Sequence, residues 1–150
     1  DEETLTLRRT DGLWCDVWAF EEATRGGVAA IPQILALYRG DFLPEEPYAD
    51  WALRERERLR TRYLNALMGW LEERVRASAW EEGVELARRI LEREPWLEEV
   101  WRALMTCLAQ LGRRSEALRA YQDCVRALRV ELDVDPAPET RRLYERLLRK

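Results

Sequence analysis

The sequence predicts an all-α protein built from antiparallel helical hairpins. Three observations carry that expectation. Apolar residues recur at three- and four-residue spacings through most of the chain, glycine and proline fall between those stretches, and the middle of the chain repeats towards the C-terminus. With 150 residues, 47% of them apolar, one domain with its own core is expected, needing neither metal nor disulfide.

From Leu5 to Leu7 apolar and polar residues alternate, Thr10-Asp11-Gly12 offers a turn, and Leu13-Trp14 resumes, which predicts a short hairpin or strand remnant. Asp16 can then cap a short helix with Val17, Phe20 and Ala23 on one side, stopped by Gly26-Gly27. A second helix carries Ile31, Ile34, Leu35 and Tyr38, with Pro32 tolerable only in its first turn and Gly40 as its stop. Two prolines and three acids make Asp41 to Pro47 a connector.

The longest helix follows. Trp51, Leu59, Tyr63, Leu67, Trp70 and Leu71 are expected to form its inward stripe, and the charge run from Arg54 to Arg62 a solvated face with i,i+3 pairs such as Glu55 with Arg58. Ser78-Ala79-Trp80-Glu81 matches a capping box, so a new helix starts near Ala79 and ends before Pro95. Trp96 to Leu111 is helical through Val100, Trp101, Leu104 and Leu108, with Gly112 as its stop. Its partner carries Ala117, Leu118, Tyr121, Val125 and Leu128, and a last helix begins with Pro138 and buries Leu143, Tyr144 and Leu147.

Sliding the chain on itself aligns Leu67 with Trp101 (101 − 67 = 34), Ser78 with Gly112, Gly83 with Ala117 and Ala87 with Tyr121. That is the tetratricopeptide (TPR) period. Large residues alternate with small ones where the two helices of a hairpin meet, so the small ones let the backbones approach. Two repeats leave both outer faces bare, and the flanking helices read as caps. The fold class is therefore a TPR-like right-handed stack of antiparallel helical hairpins with capping helices. In such a stack the first helix of each hairpin lines a concave surface. The candidate protein-contact residues are Asn65, Met68, Glu72 and Arg76 on one copy and Glu99, Arg102, Thr106 and Gln110 on the other, all pointing away from the apolar stripe.

Composition excludes several classes of function. Lys and Arg number 25 against 29 Asp and Glu, a net charge of −4, so polyanionic nucleic acid is not held by this chain alone. There is no histidine, and Cys15, Cys107 and Cys124 are too scattered for a metal site; no metal and no cofactor are expected. No phosphate loop, nucleophile elbow or zinc-protease signature is present, and the chain is expected not to be an enzyme. No apolar run is long enough to cross a bilayer, the acidic start Asp1-Glu2-Glu3 lacks signal-peptide character, and unpaired cysteines suit a reducing compartment. A cytoplasmic location without membrane contact is expected. Trp14, Trp18 and Trp80, beside polar or turn-forming neighbours, are the tryptophans either closing the ends of the core or anchoring an interface.

Leu37-Tyr38-Arg39-Gly40-Asp41-Phe42-Leu43, Trp51 followed by Glu57-Arg58-Leu59, Leu111-Gly112-Arg113 with Glu116-Ala117-Leu118 and Tyr121, and Glu131-Leu132 ahead of Asp135-Pro136 and Pro138-Glu139-Thr140 together resemble the bacterial transcriptional activator domain. The resemblance runs from about Asp16 to the end and extends to activators of the antibiotic regulatory protein type. Two positions depart from the family pattern. Asp133 stands where the family usually has glycine, and aspartate can adopt the left-handed geometry required there. Glu94 stands before Pro95 where aspartate is common.

The resemblance implies a domain, residues 16–150, that positions a winged-helix DNA-binding domain lying before Asp1, with 1–15 as a linker or remnant of it. It implies contacts with a protein partner or second protomer, DNA contact only through another domain, and no small-molecule substrate. The alternative is a free-standing TPR adaptor that binds an extended peptide.

Overall fold

The computed structural model describes residues 13–46 and 48–149. Among them are seven α-helices and one 3-10 turn, and no strand: α1 (Asp16–Ala23), a 3-10 turn (Gly27–Ala30), α2 (Ile31–Leu37), α3 (Asp50–Arg76), α4 (Trp80–Leu91), α5 (Glu98–Gln110), α6 (Arg114–Leu132) and α7 (Pro138–Arg149). The chain divides into two compact units, Asp1–Tyr63 and Leu64–Lys150, with the boundary inside α3. The expected hairpin over Leu5 to Gly12 lies outside the described residues. Leu13 and Trp14 are exposed and in no regular element.

In the first unit α1 packs on α2. Phe20, Ala23, Ile31, Ile34 and Tyr38 are buried, as the spacing predicts, and Pro32 falls in the first turn of α2, where its missing N–H is no loss. The rings of Phe20, Tyr38 and Tyr63 form a row, with Tyr38 stacked on Tyr63 at 4.2 Å between centroids. Trp51 departs from expectation. It is 67% exposed, while its neighbour Ala52 is fully buried. The inward stripe of α3 therefore enters at Ala52, one residue later, and runs through Leu59 and Tyr63, seven and four residues apart. Trp51 instead lies edge-on against Phe42 of the connector.

The second unit is TPR-like. α4 packs on α5, α5 on α6, and α7 closes against both α5 and α6. Leu67, Ile90, Val100, Met105, Cys107 and Leu108 are almost entirely buried, the aliphatic ones and Met105 each contributing on the order of 1.5–3 kcal/mol. Gly83 shows why small residues recur at the hairpin contact: a Cβ there would stand 2.8 Å from Cys107 Sγ. Ala117, its partner by the repeat, is fully buried.

Ser78 is a correction. Its side chain makes no capping bond to α4, whose N-cap position is Ala79. Ser78 instead has φ +58 and ends α3: its N–H donates to Val75 O and that of Ala79 to Arg74 O. Gly112, 34 residues on, has φ +74 and makes the same pair of bonds, from Gly112 to Ala109 and from Arg113 to Leu108. The repeat thus places a left-handed stop at both positions, and the need for that stop outweighs the local capping pattern. Asp133 ends α6 at φ +54, ψ +40, donating to Arg129 O.

Candidate protein-contact surface

The two sets of contact candidates both lie in the second unit. Asn65, Glu72 and Arg76 on α3, and Glu99 and Gln110 on α5, are exposed; Met68, Arg102 and Thr106 are half-buried. Glu72 and Arg76 face each other at 4.0 Å across one helical turn, an exposed pair worth a few tenths of a kcal/mol. Two of the α5 residues are engaged within the fold. Arg102 donates to the fully buried Thr140 Oγ1 on α7 at 3.1 Å, and Thr106 returns its hydroxyl to Arg102 O at 2.8 Å. On α5 the positions free of such bonds are therefore Glu99 and Gln110.

Ion pairs link separate elements of this unit. Arg74 donates to Glu82, Arg113 to Glu81 and Glu116, and Arg88 to Glu116. The hydrogen bond from Arg113, followed by smaller contributions including Arg88, holds the Glu116 carboxyl below the usual carboxylate range. Arg88 and Glu116 also border a groove of about 460 Å³, floored by Leu91, Leu104, Leu108 and Ala120. Trp101 lines it with its indole N–H donated to Pro95 O at 2.8 Å. Sequence reasoning placed Trp101 only as a core residue; its half exposure follows from a polar edge that must find a partner.

The first unit holds residues that sequence reasoning passed over. Arg56 lies within the charge run read as a solvated face, yet its guanidinium donates to the carbonyls of Phe42, Leu43 and Glu46 at 3.0, 3.1 and 3.2 Å. It clasps a connector in which Leu43 has φ +48. Arg58 reaches Glu21 of α1 at 2.6 Å as well as its expected partner Glu55. Its hydrogen bond to Glu55, and secondarily that to Glu21, raise its pKa further. No spacing rule pairs residues fourteen or thirty-seven positions apart, so nothing in the sequence marked these two arginines out from their neighbours. Trp14 is 72% exposed, and Trp18 and Trp80 are half-buried.

Among the described residues no cluster of His, Cys, Asp and Glu could hold a metal, and no helix is long and apolar enough to cross a membrane. Burial raises both core thiols, that of Cys124 to about 12, so neither is a ready nucleophile.

A TPR-like stack whose polar side chains link helices and cap ends belongs to the class of helical-repeat domains. Residues 15–148 match the bacterial transcriptional activator domain, and the chain belongs to that family. It is 34% identical over 121 residues to the regulatory protein AfsR of Streptomyces griseus, covering 79% of this chain and 12% of AfsR. It is 39% identical over 56 residues to the transcriptional regulatory protein EmbR of Mycobacterium tuberculosis, covering 37% of this chain and 14% of EmbR. Among solved structures, Mycobacterium tuberculosis EmbR in complex with a low-affinity phosphopeptide superposes with a TM-score of 0.66 at 25% identity, covering 89% of this chain and 34% of that one.

Proposed function

We propose that this chain is the protein–protein interaction or oligomerisation domain of a bacterial transcription regulator, residues 16–150, which helps to position an upstream winged-helix DNA-binding domain through a linker at 1–15. The observation that supports it most is the family match over nearly the whole chain, set beside the small fraction of AfsR and EmbR that the chain spans. A domain that recurs as a part of larger regulators does its work by contact with other parts. The solved EmbR structure, of which this chain corresponds to 34%, holds a phosphopeptide, in keeping with a protein partner for a regulator of this kind. In this reading the domain has no catalytic role, works in the cytoplasm, and touches DNA only through its neighbour, since its net charge is −4.

The contact surface in this reading comprises the exposed candidates Asn65, Glu72, Arg76, Glu99 and Gln110, with Met68, Arg102 and Thr106 behind them. Light scattering on the eluting chain across protein concentration tests it. The expected result is a dimer population that rises with concentration and falls when Asn65, Glu99 and Gln110 are replaced by lysine. A strict monomer, unchanged by those substitutions, removes the second protomer as partner and leaves contacts within a longer chain. Retention of a short DNA duplex by this chain alone at physiological salt would overturn the assignment of DNA contact to another domain.

A further inference from the structure

We infer that the cleft between α1 and the connector of the first unit docks a protein segment presenting an apolar side chain beside basic ones. The inference rests on the reading of the chain as a partner-binding module but concerns the first unit. The cleft has a volume of about 490 Å³. Phe20, Tyr38 and Leu59, all buried, form its floor, and Phe42 and Leu43 its connector wall. Its rim carries Asp16, Asp41 and Glu45.

The charges at this rim are unbalanced. Asp16 accepts from the backbone N–H of Val17 and Asp41 from the Tyr38 hydroxyl, but among the described residues none of the three carboxylates meets a cation. The cation lining the cleft, Arg39, donates its Nε to Ala36 O. Three acids and one base leave a formal charge of −2 around an apolar floor. Elsewhere in the same unit Glu21 and Glu55 are paired with Arg58 and Glu22 with Arg25, whereas the rim gathers three carboxylates without such a partner around one apolar floor.

An incoming cation therefore finds carboxylates that have already been left to solvent, and displaces no internal partner. An aromatic or aliphatic neighbour on the same segment fills the floor. The same charges repel nucleic acid and acidic peptides. The wall is also held in advance. The three carbonyl bonds from Arg56 fix the connector, so docking does not have to order it. Exposed Trp51, edge-on against Phe42, extends the apolar surface beyond the cleft with an aromatic of the kind that anchors interfaces.

The test is a calorimetric titration of the whole chain with the end-blocked pentapeptide Arg-Phe-Leu-Arg-Lys, against Glu-Phe-Leu-Glu-Glu as control. The basic peptide binds, the acidic one fails, and the Asp41→Asn, Glu45→Gln double variant weakens the basic peptide at least tenfold with an unchanged melting temperature. Raising the salt weakens it further. No binding of the basic peptide, equal binding of both, or indifference to the double variant overturns the inference. A dimer that the basic peptide cannot dissolve, but that the double variant breaks, overturns it in favour of a second copy. Lysine substitutions at Asn65, Glu99 and Gln110 leave peptide binding unchanged, so this inference and the proposed contact surface fail separately.

Discussion

The two units of this chain are held together by different means. From Leu64 onward the structure is periodic: helices of similar pattern meet at small residues, stop at left-handed positions 34 residues apart, and bury a continuous set of aliphatic side chains. Before Tyr63 nothing repeats. Two short helices and a bent connector are fixed by a row of three aromatic rings and by two arginines that reach far along the sequence. Periodic packing distributes stability over many equivalent contacts, whereas the first unit adds a few long-reach polar clasps to a smaller apolar cluster. A single substitution should therefore act on packing volume in one unit and on hydrogen bonding in the other.

The largest effect is expected at Gly83. Valine there has no room beside Cys107 Sγ and should cost about 2–3 kcal/mol, read as a fall in melting temperature of several degrees. The sharper version uses alanine. Gly83→Ala alone should destabilise, but in a Cys107→Ala background it should stabilise by up to about 1 kcal/mol, because the steric conflict is gone and the helix propensity of alanine remains. Additive effects of the two substitutions would mean that this contact does not set the hairpin spacing.

Next comes Arg56→Ala, which takes a donor from the half-buried carbonyls of Phe42 and Leu43 and from the exposed carbonyl of Glu46 and should cost about 1–2 kcal/mol. Hydrogen exchange should rise over residues 13–63 and much less over 64–149. Lysine should not rescue it, since one ammonium cannot reproduce the fork of the guanidinium. Uniform loss of protection across both regions would erase the contrast.

A smaller effect, of opposite sign, is expected at Ser78. A left-handed serine costs about 1–2 kcal/mol; glycine removes that strain, and its greater freedom when unfolded offsets part of the gain. Ser78→Gly should therefore stabilise by about 0.5–1 kcal/mol and Gly112→Ser destabilise similarly in a thermal melt. Ser78→Ala should be nearly neutral; a loss near 1 kcal/mol would restore the capping box.

The smallest effect is in acid. The hydrogen bonds from Arg58 and Arg113 depress the pKa of Glu55 and Glu116 in the folded chain. Their contribution is complete above the unfolded carboxylate pKa, about 4.3, and is lost as pH falls through the lower folded values. Because both pairs are substantially exposed, Glu55→Gln or Glu116→Gln should flatten the acid limb of the stability curve only slightly.

What could be read from the sequence follows the same division. In the second unit the spacing of Leu67, Ile90, Val100 and Leu108 identified the buried face, and the self-alignment paired Ser78 with Gly112 and Gly83 with Ala117 before any coordinates. It erred at Ser78 because the same short pattern serves as a cap or follows a stop, and only tertiary context chooses. In the first unit the short helices and the connector were legible from proline and glycine, but Arg56 and Arg58 looked like any solvated helix face, and Trp51 like a core residue. Pattern rules report which face of a helix is apolar; they are silent on which polar side chain crosses to another segment. The acidic cleft shares that silence, since Asp16 lies far along the chain from Asp41 and Glu45.

Helix α7 is fastened at both ends. Glu98 accepts the N–H of Ala137 at its start, and Arg114 donates to the carbonyls of Leu147 and Leu148 at its finish, while Tyr144 lies flat on Tyr121 between them. A helix attached only at one end peels away turn by turn under load, each turn yielding at low force. One pinned at both ends must be sheared off whole, so pulling on the last helix should give one abrupt rupture event in a force trace, and a staircase only after Arg114 is removed.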